Sequence, residues 1–518
     1  MPPTLPIPHL NYPEAELQAR FEQLQTKLVP LWERISSLND HPQTIVVVPS
    51  ISLDVMVHGA ELQAYEERYL FLLLLLRQPR ARMIYVTSEP INTDIVDYYL
   101  DLLPGVIISH ARARLDLVSP KDSDSIPLTL KLLQRPRLLD KIRGLIPDRD
   151  HAHLVPFNTT VYERNLALKL GIPMYGSDPK HDHFGTKSGC RKLFAECGVP
   201  HPIGYENLDS FDAVVRAMHE LAQARPEATS AMVKQNAGVS GQGNAVVDLS
   251  GFDGPPSRAD IEQRVRGLTL EAAELDVETY FEHLAEGGGI VEERLVGSTI
   301  TSPSAQLRIT PLGETELIST HDQLLGGPSG QSYLGARFPA ADVYASTIAR
   351  ESRKIGERLA QAGVLGRFAV DFLSVKTEAG WQSYAIEINL RKGGTTHPFL
   401  TLQFLTNGNY DPDENVFRTP SGQRKCFVAS DHFESAAYRV LTVDDVFDIA
   451  VRYDLHFDQL LEKGVVFHML AALGDRGRCG LTAVANSHAE ADDYYRLTTD
   501  VFEREAQEAI AGGGEIVE

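Results

Sequence analysis

Cysteine is scarce in this chain: among 518 residues only four occur, at Cys190, Cys197, Cys426 and Cys479. None of them forms a C-x-x-C pair, and no histidine–cysteine cluster has the spacing of a zinc site. Long apolar runs are also missing, since the longest, Leu70–Leu76, is too short to span a bilayer and predicts a buried helix. The first residues lack the basic start and apolar block of a signal peptide. We therefore expect reduced thiols in a cytoplasmic protein without a membrane partner.

Positive charge is in short supply as well, with 49 Lys and Arg against 70 Asp and Glu and a formal net charge of -21. An acidic chain repels nucleic acid and anionic membranes, so we expect no nucleic-acid partner. A phosphate-bearing ligand would have to be held by local cations against the overall field. The sequence also shows no serine-nucleophile or reactive-cysteine pattern, so its chemistry must depend on other groups.

The length predicts more than one domain, because a single core rarely grows past about 250–300 residues. Near the N-terminus, strands alternate with helices, which favours an α/β layer with a mostly parallel sheet. The expected fold class is therefore a multidomain mixture of α/β and α+β. The chain is predicted to divide into an α/β domain at 1–175, a second domain at 176–406, a Pro/Gly/Asp-rich linker at 407–425 and a small α+β module at 426–518.

Several elements of the first domain follow from periodicity. Apolar residues at helical spacing predict one helix over Ala15–Leu38 and another over about Glu61–Arg77. The short β-branched run in Gly105–His110 predicts the third strand of the layer.

A hairpin at Gly366–Leu390 carries the clearest chemical pattern, with its turn at "TEAG". On its second strand, Glu387 and Asn389 fall at alternate positions, and Arg391 follows two residues later, so the three share one face. If the apolar faces of the two strands pack together, Asp371 of the first strand lies beside them. Three oxygen donors on one face suit Mg²⁺, and an arginine at the end can neutralise a transferring phosphoryl group. The alternative is a solvated strand face, which acids on two facing strands make less favourable.

A Gly-rich loop follows Lys234, which stands at the end of a predicted strand. Successive glycines let backbone N–H groups turn toward an anion and approach it closely. The loop matches neither the Walker A pattern nor a G-x-G-x-x-G that opens a helix, and a plain surface turn is the alternative. The residues concerned are Gly238, Ser240, Gly241 and Gly243.

Two more features accompany the loop and the hairpin. Lys187 opens a predicted helix at about Thr186–Cys197, where a solvated lysine is the alternative interpretation. The strand "IVEERL" carries paired acids, for which an edge strand is the alternative.

In this order, the four features resemble the ATP-grasp superfamily, from the first α/β layer through about Pro398. The resemblance implies an ATP-grasp fold preceded by an α/β pre-ATP-grasp layer. It further implies ATP held between two subdomains together with Mg²⁺, for which Mn²⁺ is a substitute. In this family a carboxylate attacks the γ-phosphate, and an amine or another nucleophile then captures the acyl phosphate.

The resemblance also implies roles for individual residues. Lys187 and Lys234 would bind the α- and β-phosphates, and the loop Gly238–Asn244 would close over the β- and γ-phosphates. The backbone of Glu292 and Leu295 would contact the adenine edge. Asp371, Glu387 and Asn389 would hold magnesium, and Arg391 would steady the acyl phosphate. The stretch "GSTITSPSAQ" offers no acid for the ribose, which departs from many members of the family.

A closer resemblance covers nearly the whole chain. The stretches "VVVPSISLD", "THDQLLGGPSGQSYLGARFPA" and "GVVFHMLAALGDRGRCGLTAVANSHAEA" are similar to the pheganomycin-type peptide ligases and to the ATP-grasp region of IQ-motif-containing protein H. This similarity implies an amide-forming ligase whose partners are ATP and small amino acid or peptide substrates. The identity of those substrates and the formation of a homo-oligomer stay open.

Four polar residues outside these features are candidates with an alternative each. His321 could deprotonate the incoming ammonium, or serve only as a structural hydrogen-bonding group. Its neighbour Asp322 is a further substrate-side candidate. Arg308 could pair with a substrate carboxylate or only with a neighbouring acid, and His468 is interpreted as a core histidine. For the whole protein, the rival functions are an ATP-grasp kinase acting on a hydroxyl and an ATP-binding regulatory protein.

Overall fold

The architecture is that of a computed structural model, which describes residues 12–36, 41–53, 57–238, 243–252, 254–271, 275–326 and 332–513. These residues form three sheets, of four, five and eleven strands, each with helices packed beside it. Within the described ranges, no helix combines the length and apolar character needed to cross a bilayer.

The first sheet is parallel, with the strand order β3-β2-β1-β4. Its central strand is buried on both faces, because Ile45 and Val47 enter one core while Val46 and Val48 enter another. The strands are β1 (Gln43–Val48), β2 (Ala81–Val86), β3 (Leu115–Val118) and β4 (Ala152–Pro156), and the helices are α1 (Glu14–Gln25), α2 (Leu28–Ser36), α3 (Gly59–Glu67), a 3-10 helix (Leu70–Arg77), α4 (Thr93–Asp101), α5 (Ile108–Arg112), α6 (Leu128–Leu133), α7 (Pro136–Leu145) and α8 (Val161–Leu170).

Three predicted elements of this layer differ from the structure. The single N-terminal helix is divided into α1 and α2, and the second helix ends at Glu67 before the buried 3-10 helix begins. The predicted strand at Gly105–His110 is wrong. Gly105 adopts a left-handed φ of 69°, and Ile107 is 65% exposed, so this short apolar run forms a surface turn and the start of α5 instead of a buried strand.

The second sheet is antiparallel, with the order β5-β9-β6-β7-β8. The strand of "IVEERL" is β9 and lies between β5 and β6, so the edge-strand interpretation is wrong. The strands are β5 (Gly204–Leu208), β6 (Ser230–Gln235), β7 (Asn244–Asp248), β8 (Thr269–Leu270) and β9 (Gly289–Glu293), and the helices are a 3-10 helix (Pro179–Gly185), α9 (Lys187–Glu196), α10 (Phe211–Ala224), α11 (Arg258–Arg266) and α12 (Val277–Gly287).

The third sheet follows the path β10-β14-β11-β12-β13-β18-β17-β16, with β15 paired to β14 and β20 paired to both β18 and β19. Its strands are β10 (Ile300–Thr301), β11 (Pro303–Ile309), β12 (Thr315–Gly326), β13 (Ser332–Phe338), β14 (Gly366–Thr377), β15 (Gly380–Asn389), β16 (Asn409–Asp411), β17 (Val416–Arg418), β18 (Arg424–Glu434), β19 (Gly464–His468) and β20 (Arg478–Ala485). The accompanying helices are α13 (Asp342–Gln361), α14 (Thr396–Thr406), a 3-10 helix (Ala436–Val440), α15 (Val443–Arg452), a 3-10 helix (Leu470–Ala472), α16 (Leu473–Arg476) and α17 (His488–Ala511).

Residues 407–425 differ from the linker that the sequence predicts. They form β16, β17 and the start of β18, and their turn residues occupy positive φ at Asn415 (52°) and Gly422 (85°). Beyond them β18 pairs with β13, so one sheet runs from the middle of the chain into its last hundred residues. The same core that contains Tyr99 of the first layer also contains Phe467 of β19. The division of the rest of the chain into domains at 1–175, 176–406 and 426–518 stays a prediction.

Candidate functional site

The predicted hairpin is present, with Asp371 of β14 directly opposite Glu387 of β15. The pairing shifts by one residue just beyond this pair, which leaves Ile386 as an extra residue in β15. Because of this bulge, Ala385 packs in the core although it stands two residues from Glu387. Two carboxylates of neighbouring strands therefore meet on one face, as the sequence pattern predicts.

The contacts on this face join three parts of the chain. Asn389 donates from Nδ2 to Asp371 Oδ2 at 2.8 Å, and Gln323 of β12 donates from Nε2 to Asp371 Oδ1 at 3.0 Å. Lys187 Nζ lies 2.6 Å from Glu387 Oε1. The five groups line a single cavity of about 1190 Å³, whose walls come from the first layer, the second sheet and the third sheet, including β18.

The pKa values of the two carboxylates are shifted in opposite directions. Burial, reinforced by the neighbouring Glu387 carboxylate, raises the pKa of Asp371 to about 6. Burial also acts to raise the pKa of Glu387, but ion pairing with Lys187 and the nearby Arg391 outweighs it, so the pKa of Glu387 is lowered. The face therefore has more negative charge than Lys187 alone can neutralise.

The donor set on this face fits a hard divalent cation. Asp371 and Glu387 supply carboxylate oxygens, and Asn389, which donates to Asp371 through Nδ2, offers its amide oxygen as a third ligand atom. Carboxylate and amide oxygens are the ligands that Mg²⁺ prefers in proteins.

Both predicted lysines line the same cavity. Lys187 is the first residue of α9 and only 8% exposed, so the solvated-lysine interpretation is wrong. Burial acts to lower the pKa of Lys187, and pairing with Glu387 raises it above its ordinary value overall. Lys234 is the penultimate residue of β6, with Nζ 2.5 Å from Glu292 Oε1, and Arg191 Nη1 lies 3.0 Å from Glu292 Oε2. Each lysine is thus held toward the cavity by a carboxylate, buried in the case of Glu292 and partly exposed in the case of Glu387.

The base of the Gly-rich loop is tied to the start of α9 through Asn236. Its Oδ1 accepts from the Ser188 backbone N–H at 2.9 Å, while its Nδ2 donates to the Gly287 carbonyl at 3.0 Å. A Cβ added at Gly238 would stand 3.0 Å from the Cα of Gly243, so the two ends of the loop approach each other as closely as glycines permit. The predicted residues Ser240 and Gly241 lie outside the described residues.

The remaining predicted contacts fall on the cavity wall. Glu292 and Leu295 both line it, on β9 and just beyond that strand. Arg391 also lines it, with its guanidinium carbon 5.6 Å from the centre of the Phe157 ring of the first layer. Burial is the main cause of a lowered pKa at Arg391.

His321 does not reach the cavity, and its prediction as a base is corrected. The residue is fully buried between the rings of Phe338, Phe399 and Phe427, and its Nε2 lies 2.7 Å from Ser319 Oγ. Burial lowers the pKa of His321 to about 3. An imidazole in this setting supports packing and has no route to a substrate proton.

The other two candidates on these strands have protein partners. Asp322 lines the cavity, but its carboxylate accepts from the Ala341 backbone N–H at 3.0 Å and from Tyr344 Oη at 2.8 Å. Arg308 donates from Nε to Glu316 Oε2 at 2.7 Å, which agrees with the interpretation that it pairs with a neighbouring acid.

Sequence reasoning missed residues that position the site. Gln323 orients Asp371, and Arg191 shares Glu292 with Lys234. The role of Asn236 could have been predicted from the sequence, because Asn236 stands between Lys234 and the first loop glycine, where it couples the two lysine-bearing elements. The sequence contains no comparable signal for Gln323, since a polar residue in a strand does not reveal which other strand it faces.

Comparisons with known proteins agree with this geometry. A family described as IQCH-like, ATP-grasp matches residues 275–413, and the PGM1 C-terminal domain family matches residues 445–498. The L-propargylglycine–L-glutamate ligase of Streptantibioticus cattleyicolor is 31% identical over 440 residues, covering 83% of this chain and 87% of that protein. IQ motif-containing protein H of Danio rerio is 23% identical over 78% of this chain, which spans 42% of that protein.

Among solved structures, the biotin carboxylase–β,γ-ATP complex from Campylobacter jejuni superposes with a TM-score of 0.53. The two chains are 12% identical, and the match covers 92% of this chain and 98% of the other. At this identity the likeness shows the fold alone.

Proposed function

The chain belongs to the ATP-grasp superfamily, and from that premise we propose that it is an ATP- and Mg²⁺-dependent carboxylate–amine ligase. The reaction activates a carboxylate as an acyl phosphate and joins it to the amine of an amino acid or peptide. The relative from Streptantibioticus cattleyicolor, whose name specifies two amino acid substrates, supports this choice of substrate class. The observation that carries the proposal is the convergence of Lys187, Lys234, Asp371, Glu387 and Arg391 on one cavity.

The chemistry needs the groups that the cavity offers. A free carboxylate is a poor electrophile, and transfer of a phosphoryl group to it supplies a leaving group. Such transfer depends on positioning and charge stabilisation, so it requires no covalent nucleophile from the protein. Mg²⁺ bound by Asp371, Glu387 and Asn389 would spread the charge of the phosphates.

The two lysines would change partners when ATP binds. In the structure, Lys187 and Lys234 are held by Glu387 and Glu292. Phosphate oxygens offer each ammonium a stronger charge partner, so the lysines turn to the nucleotide, which leaves Glu387 free to bind the cation. Arg191 keeps Glu292 neutralised during this exchange.

Space in the cavity supports a reaction of more than one substrate. Single-ligand sites are commonly about 300–1,000 Å³, and the cavity here is about 1190 Å³. Arg391 lies between the oxygen face and Phe157 of the first layer, where it can steady the acyl phosphate against the amine. Closure of the Gly-rich loop would shut out water, which would otherwise hydrolyse that intermediate.

The test is ADP release from the purified chain with a panel of amino acids and dipeptides, followed by mass spectrometry of the product. Hydroxylamine is added in parallel, because it converts an acyl phosphate into a hydroxamate and leaves a phosphate ester untouched. Glu387→Gln and Lys234→Ala should each lower ADP release by about 100-fold or more. Glu378→Gln, in the exposed turn of the same hairpin, is the matched control and should retain turnover.

Three results would count against the proposal. Unchanged turnover in both site variants would remove these residues from the mechanism. A phosphorylated hydroxyl without hydroxamate would identify a kinase. ATP binding without ADP release across the panel would favour a regulatory protein, as the relationship to IQ motif-containing protein H permits.

A further inference from the structure

A second polar cluster lies beside the cavity, formed by His397 at the start of α14, Asp431 of β18 and His468 at the end of β19. All three are buried, with 3%, 5% and 3% exposure. His397 Nε2 lies 3.0 Å from His468 Nε2, and these two atoms lie 3.2 Å and 2.9 Å from Asp431 Oδ1. Three atoms that each carry a lone pair therefore meet in one small triangle.

The size of the triangle matches one face of a metal coordination shell. A circle through its corners has a radius of about 1.8 Å, so a point about 2.05 Å from all three atoms lies about 1.1 Å above their plane, and 2.0–2.1 Å is the length of zinc bonds to imidazole nitrogen and carboxylate oxygen. A single dication at that point would lie at bonding distance from all three atoms.

Hydrogen bonds alone satisfy the cluster poorly. If both Nε2 atoms donate to Asp431, two N–H groups converge on the single oxygen Oδ1 while their nitrogens lie 3.0 Å apart. If only one donates, the other Nε2 can accept only from that same N–H, which Asp431 Oδ1 and the second ring must then share. In the described part of the chain, Nδ1 of His397 has no hydrogen-bond partner, so the His397 ring makes all its polar contacts within the cluster. A cation above the triangle would satisfy all three lone pairs together.

The surroundings hold two of the three groups in place. Arg68 Nη1 lies 2.7 Å from Asp431 Oδ2, which fixes the carboxylate and leaves Oδ1 for the cluster. Gly480 makes room for the His468 ring, because a Cβ there would stand 2.1 Å from His468 Nε2. Fixed orientation of the ligand groups by neighbouring contacts is the usual arrangement at metal sites.

We propose that His397 Nε2, His468 Nε2 and Asp431 Oδ1 bind a transition-metal dication, with Zn²⁺ as the best-matched ion. Two imidazoles and one carboxylate favour Zn²⁺ over Mg²⁺, which prefers oxygen ligands alone. The ion would join α14, which follows the hairpin of the candidate site, to strands β18 and β19 of the last part of the chain. This site is separate from the oxygen face of Asp371 and Glu387, and the inference does not depend on the proposed ligase activity.

The experiment uses the full chain after treatment with a chelator and its removal. Co²⁺ is added as a spectroscopic substitute, and visible absorption is followed to saturation, with Zn²⁺ then added to displace it. We expect one equivalent of Co²⁺ with the absorption of an imidazole-bound ion. His397→Gln and His468→Gln should each weaken Co²⁺ binding by more than about 100-fold.

Two control variants make the result specific. His432→Gln changes the histidine next to Asp431 but none of the three ligands, so it should bind Co²⁺ as the unaltered chain does. Glu387→Gln removes one of the oxygen ligands proposed for Mg²⁺ and should leave the visible absorption of imidazole-bound Co²⁺ unchanged. This control keeps the test independent of the proposed function.

Either of two results would overturn the proposal. One is the absence of a stoichiometric, Zn²⁺-displaceable Co²⁺ signal in the unaltered chain, which needs no variant to fold. The other is an unchanged signal in folded His468→Gln or His397→Gln protein.

Discussion

Lys187 competes with any cation that binds Glu387, and replacing it by methionine tests the arrangement of the candidate site. The side chains of the pair are 9% and 28% exposed and lie 2.6 Å apart. A hydrogen bond between charged groups contributes about 1.5–3 kcal/mol, and about 1.4 kcal/mol corresponds to a tenfold change in affinity. Without nucleotide, Lys187→Met should therefore tighten divalent-ion binding by about 10- to 100-fold.

The same change should act in the opposite direction on the nucleotide. Methionine preserves the length of the side chain but cannot neutralise a phosphate, so a non-hydrolysable ATP analogue should bind about tenfold or more weakly. Opposite signs for the two ligands distinguish this mechanism from general damage to the fold, which would weaken both.

The affinity for the divalent ion is measured by titrating the protein with Mn²⁺ in the absence of nucleotide and following bound Mn²⁺ by electron paramagnetic resonance. Only the bound Mn²⁺ that Mg²⁺ displaces is counted. This excludes Mn²⁺ bound at a site built on imidazoles, for which Mg²⁺ competes poorly. The analogue is titrated by calorimetry. Lys192→Met is the matched control, because Lys192 is exposed on the same helix and contacts Asn207 at 2.9 Å. Mn²⁺ affinity that is unchanged or weaker in folded Lys187→Met protein would refute the reasoning.

Three further predictions test other parts of the structure. Burial lowers the pKa of His321 to about 3, so its contribution to stability is complete above its ordinary pKa of 6.5 and is lost as pH falls from 6.5 through 3. Between pH 6.5 and 5 the unaltered chain should lose about 2 kcal/mol more than His321→Gln in urea unfolding, and equal losses would contradict this burial. Gly335→Ala would place a Cβ 2.1 Å from a carbonyl oxygen of β18, so it should lower the unfolding temperature by several degrees. The comparison is Gly313→Ala at an exposed turn with a positive φ, where a Cβ would meet no other atom within 4 Å among the described residues. Glu292→Gln removes the carboxylate that pairs with Lys234 and leaves Arg191 paired with Glu206, so it should cost about 3–5 kcal/mol in unfolding experiments, with ATP restoring part of the loss; full stability without ligand would contradict the ion pairs.

The chemistry of the hairpin could be predicted because all its determinants are local. Asp371 and Glu387 lie on strands joined by a tight turn, and alternation along each strand assigns each acid to the polar side of its own strand. The bulge at Ile386 escaped prediction, since an extra residue leaves no mark in an alternating pattern. From the turn to the pair Phe372–Ala385 the register is regular and would continue to Asp371 opposite Ile386, so it is the extra residue that places Asp371 opposite Glu387.

Residues that depend on distant strands could not be assigned in this way. His321 looked available for catalysis, but aromatic rings from three separate elements enclose it. Residues 407–425 have the composition of a linker, and their turn residues instead serve short strands that lead into β18. Composition reports the preference for a turn, whereas pairing with β13 decides whether the turns belong to a sheet.

The sequence by itself determined which residue types were present for phosphate and cation chemistry, the order in which they occur and the faces of the strands that carry them. Only the tertiary structure decided that Lys187, Lys234 and the two acids share one cavity, and that His397, Asp431 and His468 meet at a point. The physical reason is that local patterns constrain the dihedral angles of neighbouring residues, while contacts between distant residues arise from burial of a common core, which no short stretch of sequence specifies.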